Sequence, residues 1–135
     1  MNENEIATTI INISMQIHKR FGPGLLESAY ETILFLELTG QGLKASRQIP
    51  VPITWKNYTI EDAFRADLIV ENKVIVEIKS VERLTKVHEK QILTYLRLSG
   101  KKLGLLLNFG QQLLKDGIER VINGTIEPKP DNLFK

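Results

Sequence analysis

Arg65-Ala66-Asp67-Leu68-Ile69-Val70, then Glu71-Asn72-Lys73, then Val74-Ile75-Val76-Glu77-Ile78-Lys79-Ser80 is the stretch that decides the fold. Two runs rich in β-branched residues flank a polar triplet, which predicts strands from Phe64 to Val70 and from Val74 to Ser80. Side chains alternate along a strand, so Glu77 and Lys79 share one face while Val74, Val76 and Ile78 share the other. Ile75 is apolar on the charged side, so this strand is mostly buried and its polar pair is not a solvated stripe. The connection sets the register. A two-residue turn at Asn72-Lys73 would oppose Leu68 to Glu77 and throw Asp67 onto the far face. A three-residue connection, with Asn72 or Lys73 near the left-handed region, sets Asp67 across from Glu77. We expect the second, in which two carboxylates converge beside a lysine and can hold a hard divalent cation. The plainer alternative is an internal Glu77–Lys79 ion pair, which stabilises poorly once desolvation is counted.

Working toward the N-terminus, Leu43 to Ile60 reads as β structure, with Lys56-Asn57 as a hairpin turn into Tyr58-Thr59-Ile60. Pro50 and Pro52 lack ladder donors, which places that strand at an edge. Before it, Ile6, Ile10, Ile13 and Ile17 form the apolar stripe of a first helix. Gly22-Pro23-Gly24 ends that helix, its first glycine free to take a positive φ. A second helix is expected from about Leu25 to Leu38, with Leu26, Ala29, Ile33 and Leu36 on one face. Glu27 falls in its first turn, where the helix dipole alone would favour a carboxylate.

Toward the C-terminus, a third helix is expected from about Lys86 to Ser99, with Thr85 as its N-cap. At about 100° per residue, His88, Gln91 and Tyr95 fall within one narrow arc, and Lys86, Lys90 and Arg97 fall opposite. An imidazole, an amide and a phenol aimed inward, directly after the Glu-x-Lys strand, suggest the polar wall of a cleft. Each alone would be unremarkable core. Gly104-Leu105-Leu106-Leu107-Asn108-Phe109 reads as a strand covered on both faces, with a weaker element at Ile118 to Ile122. The polar stretch Glu127-Pro128-Lys129-Pro130-Asp131-Asn132 reads as a tail, so we expect one domain over 1–125 and a tail over 126–135.

Composition bounds the chemistry. The 135 residues are 42% hydrophobic and 25% charged, a globular profile large enough for a real core. Cysteine is absent, which removes disulfides, thiolate metal sites and thiol nucleophiles. His18 and His88 are too few for a multi-histidine zinc site. No apolar run approaches the ~20 residues that span a bilayer, and the acidic opening Met1-Asn2-Glu3-Asn4-Glu5 is unlike a secretory signal, so a cytoplasmic protein with no membrane association is expected. Net charge is only +2, 18 basic against 16 acidic residues, so bulk charge does not argue for nucleic acid. Gly22-x-Gly24 lacks the third glycine of a dinucleotide fingerprint and follows a helix, and neither a nucleophile elbow nor a phosphate loop occurs.

Taken together, these residues resemble the PD-(D/E)XK nuclease superfamily, and more closely its bacterial family named for a Gly-x-x-Glu-x-x-Tyr motif. That motif here is Gly24-Leu25-Leu26-Glu27-Ser28-Ala29-Tyr30, preceded by His18-Lys19-Arg20-Phe21-Gly22-Pro23. Asp67 followed by Glu77-Ile78-Lys79 resembles the superfamily's signature, although Ala66 stands where proline gives the motif its name. Gln91-Ile92-Leu93-Thr94-Tyr95 resembles the Gln-x-x-x-Tyr motif of the exonuclease-like branch, and Gly104 to Phe109 the closing strand, so the likeness runs from about Ile6 to Ile122. The resemblance implies an α/β fold: a single restriction-endonuclease-like domain with an α-β-β-β-α-β core, its mixed sheet flanked by helices. It implies a metal-dependent nuclease (a hydrolase of phosphodiester bonds) using Mg²⁺ or Mn²⁺. By analogy the catalytic set is Asp67, Glu77, Lys79 and Glu27. Asp67, Glu77 and the Ile78 carbonyl would ligate the metal, with Glu27 as a further candidate ligand. Lys79 would position water and stabilise charge at phosphorus. Gln91, Tyr95, Tyr30 and His88 would orient substrate or the lysine, with His18 a lesser candidate. DNA is favoured over RNA as partner, and a protein partner is a candidate source of specificity.

A reading from another class competes: the same fold as a non-catalytic module that binds nucleic acid or protein. The chain shows no attached specificity element and spares few cations for phosphate contacts. A pure binder, however, has little use for Asp67, Glu77 and Lys79 together.

Overall fold

The computed structural model describes residues 1–126. Helices α1 (Glu3–Phe21) and α2 (Glu27–Gly40) come first, then strands β1 (Ala45–Trp55), β2 (Tyr58–Val70) and β3 (Val74–Lys79). Helix α3 (Lys86–Ser99) crosses to β4 (Leu103–Asn108), and a short 3₁₀ turn (Leu114–Gly117) leads into β5 (Ile118–Ile122). The five strands lie in sequence order. Only β3 and β4 are parallel, joined through α3 as a parallel pair requires; the other neighbours are antiparallel. This is the mixed sheet flanked by helices that the resemblance implies, with β5 completing the far edge. The expected tail falls outside the described residues except Ile126, which packs against the larger core cluster.

Alternation on the strands separates two cores. Val74, Val76 and Ile78 of β3 and Leu103, Leu105 and Leu107 of β4 face α1 and α2, where Ile6, Ile10, Ile13 and Ile17 form the expected stripe. Ile75 and Leu106 face the other way, onto Ile92 and Leu96 of α3. Helix α3 lies close because β4 carries a glycine there: a Cβ on Gly104 would sit 2.6 Å from Cδ1 of Ile92. Gly22 caps α1 with φ +71°, donating its N–H to the His18 carbonyl at 2.7 Å.

Two expectations need correction. Helix α2 does not bury Leu26 and Leu36, which are exposed; it buries Tyr30, Glu31, Leu34 and Leu38. Apolar residues surround this helix, so periodicity alone does not choose its rotation. Tyr30 fixes it instead, stacking on Phe109 at 4.2 Å between ring centroids. The separate pieces Tyr58–Ile60 and Phe64–Val70 are one continuous strand, β2, whose first half pairs only with β1. β1 is an edge strand, as its prolines require.

The β2–β3 connection has the predicted length. Leu68 pairs with Val76, Ile69 with Ile75 and Val70 with Val74, leaving Glu71-Asn72-Lys73 as the turn. Asn72 takes the left-handed conformation at φ +55°, and so does Glu71 at φ +52°. Glu71 is held there because its N–H donates to the Lys44 carbonyl at 2.7 Å while its carboxylate accepts the Lys44 N–H at 2.6 Å.

Candidate active site

Continued one step, that register sets Asp67 against Glu77, but the ladder does not continue. The carboxylate of Asp67 turns into the gap, and its Oδ2 accepts the Ile78 N–H at 2.8 Å. β2 and β3 therefore part at this residue, and a side chain replaces a backbone carbonyl. A strand residue's N–H and C=O point to the same side, so the Ile78 carbonyl also faces Asp67. Glu77 lies beside it, only 6% exposed, and its Oε1 has no hydrogen-bond partner. Its pKa is pushed up to about 9, first by burial and then by the charge and hydrogen-bonding carboxyl of Asp67. Lys79 pulls the other way and is outweighed. The two carboxyl groups thus act on each other directly, although Asp67 opens toward the α2 side of the sheet and Glu77 toward α3.

Asp67 is held from behind by residues the sequence reading did not single out. Nε2 of Gln48 donates to Asp67 Oδ1 at 3.2 Å and to Glu31 Oε1 at 2.8 Å. Glu31 is buried, one turn beyond Glu27, and its other oxygen pairs with Nε of Arg47 at 3.1 Å. Gln48 sits at φ +49°, a conformation that side-chained residues seldom adopt. The one local signal was Glu31, four residues after Glu27 on the same helical face. Gln48 had none, because its role depends on the irregular register opposite Asp67.

On the α3 side the predicted wall forms, with His88 and Tyr95 half-buried and Gln91 exposed at its rim. His88, Gln91 and Tyr95 line one small cavity with Glu77 and Lys79. Its volume is about 10 Å³, room for one water-sized guest. Lys86, Lys90 and Arg97 are exposed, as the helical arc requires. Nδ1 of His88 accepts the Thr85 N–H at 3.0 Å, so the neutral ring carries its proton on Nε2. The Tyr95 ring stacks on Phe64 of β2, 3.7 Å between centroids. Burial, Glu77 and Asp67 together raise the Tyr95 pKa, which keeps its phenol protonated at neutral pH. Lys79 forms no ion pair with Glu77; the ion pairs among the described residues join Arg47 to Glu31 and Arg65 to Asp62.

Glu27 stands at the start of α2, and its Oε2 accepts the Ser80 N–H at 2.8 Å just past β3. With Glu31, Gln48 and Asp67 it lines an open hollow of about 470 Å³ on the other side of Asp67. Tyr30 is not at the cleft, which corrects the substrate-orienting role. It is fully buried, its hydroxyl donating to the Gly22 carbonyl and accepting the Leu25 N–H at 3.0 Å. Tyr30 thereby shapes the turn that delivers Glu27. His18 is also structural, its Nε2 donating to the carbonyls of Phe109 and Gln111. Buried Asn108, another residue not anticipated, clamps the chain after Lys79 by bonding both the N–H and the carbonyl of Val81. A separate apolar hollow of about 450 Å³ between α1 and the 3₁₀ turn shares none of the charged site residues.

Among the described residues no three carboxylate or imidazole groups gather closely enough to hold a metal ion by themselves. The donor set at hand is Asp67, Glu77 and a backbone carbonyl. That suits Mg²⁺, which is commonly bound through one or two carboxylates while keeping several waters. The partnerless buried oxygen of Glu77 fits the same guest. Among the described residues no helix is long and apolar enough to cross a membrane. A sequence model described as the PD-(D/E)XK nuclease superfamily matches residues 4–121. No curated protein and no solved structure matches the chain.

Proposed function

The chain belongs to the PD-(D/E)XK nuclease superfamily, and on that premise we propose that it is a divalent-metal-dependent nuclease of the Gly-x-x-Glu-x-x-Tyr branch, hydrolysing phosphodiester bonds. The observation that carries this reading is Glu77: a carboxylate 6% exposed, beside a second carboxylate, with an oxygen that nothing in the protein satisfies. Burial holds this acid in its neutral form, and a cation held by Asp67 and Glu77 would let it ionise at neutral pH and satisfy that oxygen. Asp67, Glu77 and the Ile78 carbonyl would hold Mg²⁺ or Mn²⁺. Glu27 stands to one side as a further ligand, through water or after releasing Ser80. When bound, such a cation supplies Lewis-acid stabilisation of charge and a more acidic water.

The chain's own residues do the rest. Lys79 shares the small cavity with Glu77 without being neutralised by it, so its ammonium is free to orient the attacking water and offset charge growing on the phosphoryl oxygens. Protonated Tyr95, the Gln91 amide and Nε2–H of His88 are donors suited to phosphate oxygens or to fixing Lys79. Gln48 and Glu31 hold Asp67 in place, and Asn108 fixes the chain beyond Lys79. DNA is the preferred substrate, and specificity rests with loops or a protein partner.

The test is to incubate the protein with labelled single- and double-stranded DNA and RNA in Mg²⁺, Mn²⁺ or EDTA, with calorimetry of cation binding alongside. Cleavage should need the cation. Lys79→Ala should lose cleavage and keep cation binding, whereas Glu77→Ala should lose both. Absence of both cleavage and cation binding in wild type would leave the binding-module reading in possession of the fold.

A further inference from the structure

Strands β1 and β2 extend well past the rest of the sheet. β3 pairs only with Leu68 to Val70, so within the sheet the stretch from Tyr58 to about Ala66 pairs with β1 alone, and its inner end packs on α3. Opposed residues share a face, and here Trp55 opposes Tyr58, Ile53 opposes Ile60, and Val51 opposes Phe64. Phe64 stacks on Tyr95, which sets the Val51–Phe64 pair on the α3 side; a bulge in β2 at residues 61–63 lies between that pair and the tip. Val51 is buried near α3, but toward the tip Ile60, Trp55 and Tyr58 are 46%, 64% and 70% exposed. Lys56, in the turn, holds its ammonium 5.6 Å from the Trp55 ring centroid. An isolated two-stranded ribbon is marginal in water, and a contiguous exposed apolar face commonly marks an interaction site.

We propose that this face of the ribbon binds the unpaired bases of a single-stranded nucleic acid and leads the strand to the Glu77–Lys79 cavity. The row leads from Trp55 and Tyr58, through Ile53 and Ile60, and across a bulge at Glu61-Asp62-Ala63 to Phe64 and Tyr95, which lines that cavity. Exposed rings offer stacking platforms to any base, while Lys56 offers a cation to the adjoining phosphate. Charge argues against a duplex. Residues 45–70 carry three basic side chains (Arg47, Lys56, Arg65) and three acidic ones (Glu61, Asp62, Asp67), so no cationic track meets two phosphate backbones. The destination of the strand rests on the nuclease reading; its binding to the ribbon does not.

Trp55 is the only tryptophan in the chain, so its fluorescence reports on the tip directly. In EDTA, an oligothymidylate of about fifteen nucleotides should quench it, and the matching duplex should bind at least roughly tenfold more weakly. Trp55→Ala and Tyr58→Ala, followed by anisotropy of labelled oligonucleotide, should each weaken single-strand binding roughly tenfold, with Trp55→Phe retaining most of it. Both positions are exposed, so circular dichroism melts should match wild type. Absence of quenching, equal affinity in the alanine variants, or preference for duplex would overturn the proposal. So would a dimer by sedimentation that Trp55→Ala dissolves without any oligonucleotide effect, since the face would then belong to a second copy. The two readings fail separately. Quenching without cleavage in any metal sinks the nuclease and keeps the ribbon; cleavage lost in Glu77→Ala but unchanged in affinity and strand preference by Trp55→Ala does the reverse.

Discussion

With no cation beside it, the carboxyl of Glu77 stays protonated well above neutrality, and this has a measurable cost. Its pKa rises from 4.5 to about 9 on folding, chiefly through burial and the neighbouring Asp67. Between those values the folded protein holds a proton that the unfolded chain has released. Its stabilising contribution is therefore complete below 4.5 and is lost as pH rises toward about 9. In EDTA, scanning calorimetry should show the melting temperature of wild type falling more steeply across this interval than that of Glu77→Gln, and added Mn²⁺ should flatten the wild-type curve. Equal slopes would remove Glu77 as the buried acid. Gln48 makes a second prediction at this scale. Gln48→Ala removes the amide that joins Asp67 to Glu31 and keeps a side chain at positive φ. Gln48→Gly removes the same amide but relaxes the backbone, so the glycine variant should be more stable than the alanine variant by about 1 kcal/mol. Both should bind divalent cations more weakly, read by the same calorimetry.

Elements place these groups, and Gly104 decides how closely α3 can approach. Gly104→Ala puts a methyl against Ile92, and overpacking of this kind typically costs about 1–3 kcal/mol. Denaturant melts should show that loss, with cleavage falling further than stability explains because Gln91 and Tyr95 ride on the displaced helix. Cleavage unchanged in a folded variant would count against α3 as a wall of the site. Much at this scale was legible in the sequence. β-Branched runs around a polar triplet give β2, β3 and their register, and the clean division of α3 into polar arc and solvent face gives its orientation. Helix α2 was illegible because apolar residues surround it and a hydroxyl bonded to two backbone groups, that of Tyr30, sets its rotation. The ribbon was illegible for a different reason. Glu61-Asp62-Ala63 interrupts the apolar pattern, and a strand half paired on one side only has no burial to leave a periodic trace. Glu31, Gln48 and Asn108 depend on which strands meet, which no local window records.

At the scale of the whole molecule, a chain with net charge +2 has few cations to exchange for the counterions of a polyanion. Single-strand binding should therefore depend weakly on salt, with a log–log slope no steeper than about −2, corresponding to roughly three phosphates. Oligonucleotide titrations across a salt series would measure it, and a much steeper slope would reveal a phosphate track away from the ribbon. The parting of β2 and β3 at Asp67 also shapes how the molecule breathes. Past that point the amides of Ile78 and Ser80 are closed by carboxylates, those of Asp67 and Glu27, instead of by a neighbouring strand. Amides deep in β3 and β4 should exchange with deuterium only through global opening, while these two should exchange through a smaller, local one. Their protection should change when a cation draws Asp67 or Glu27 toward itself. The end of the sheet nearest the site is thus a clock that runs at its own rate, and two backbone protons keep its time.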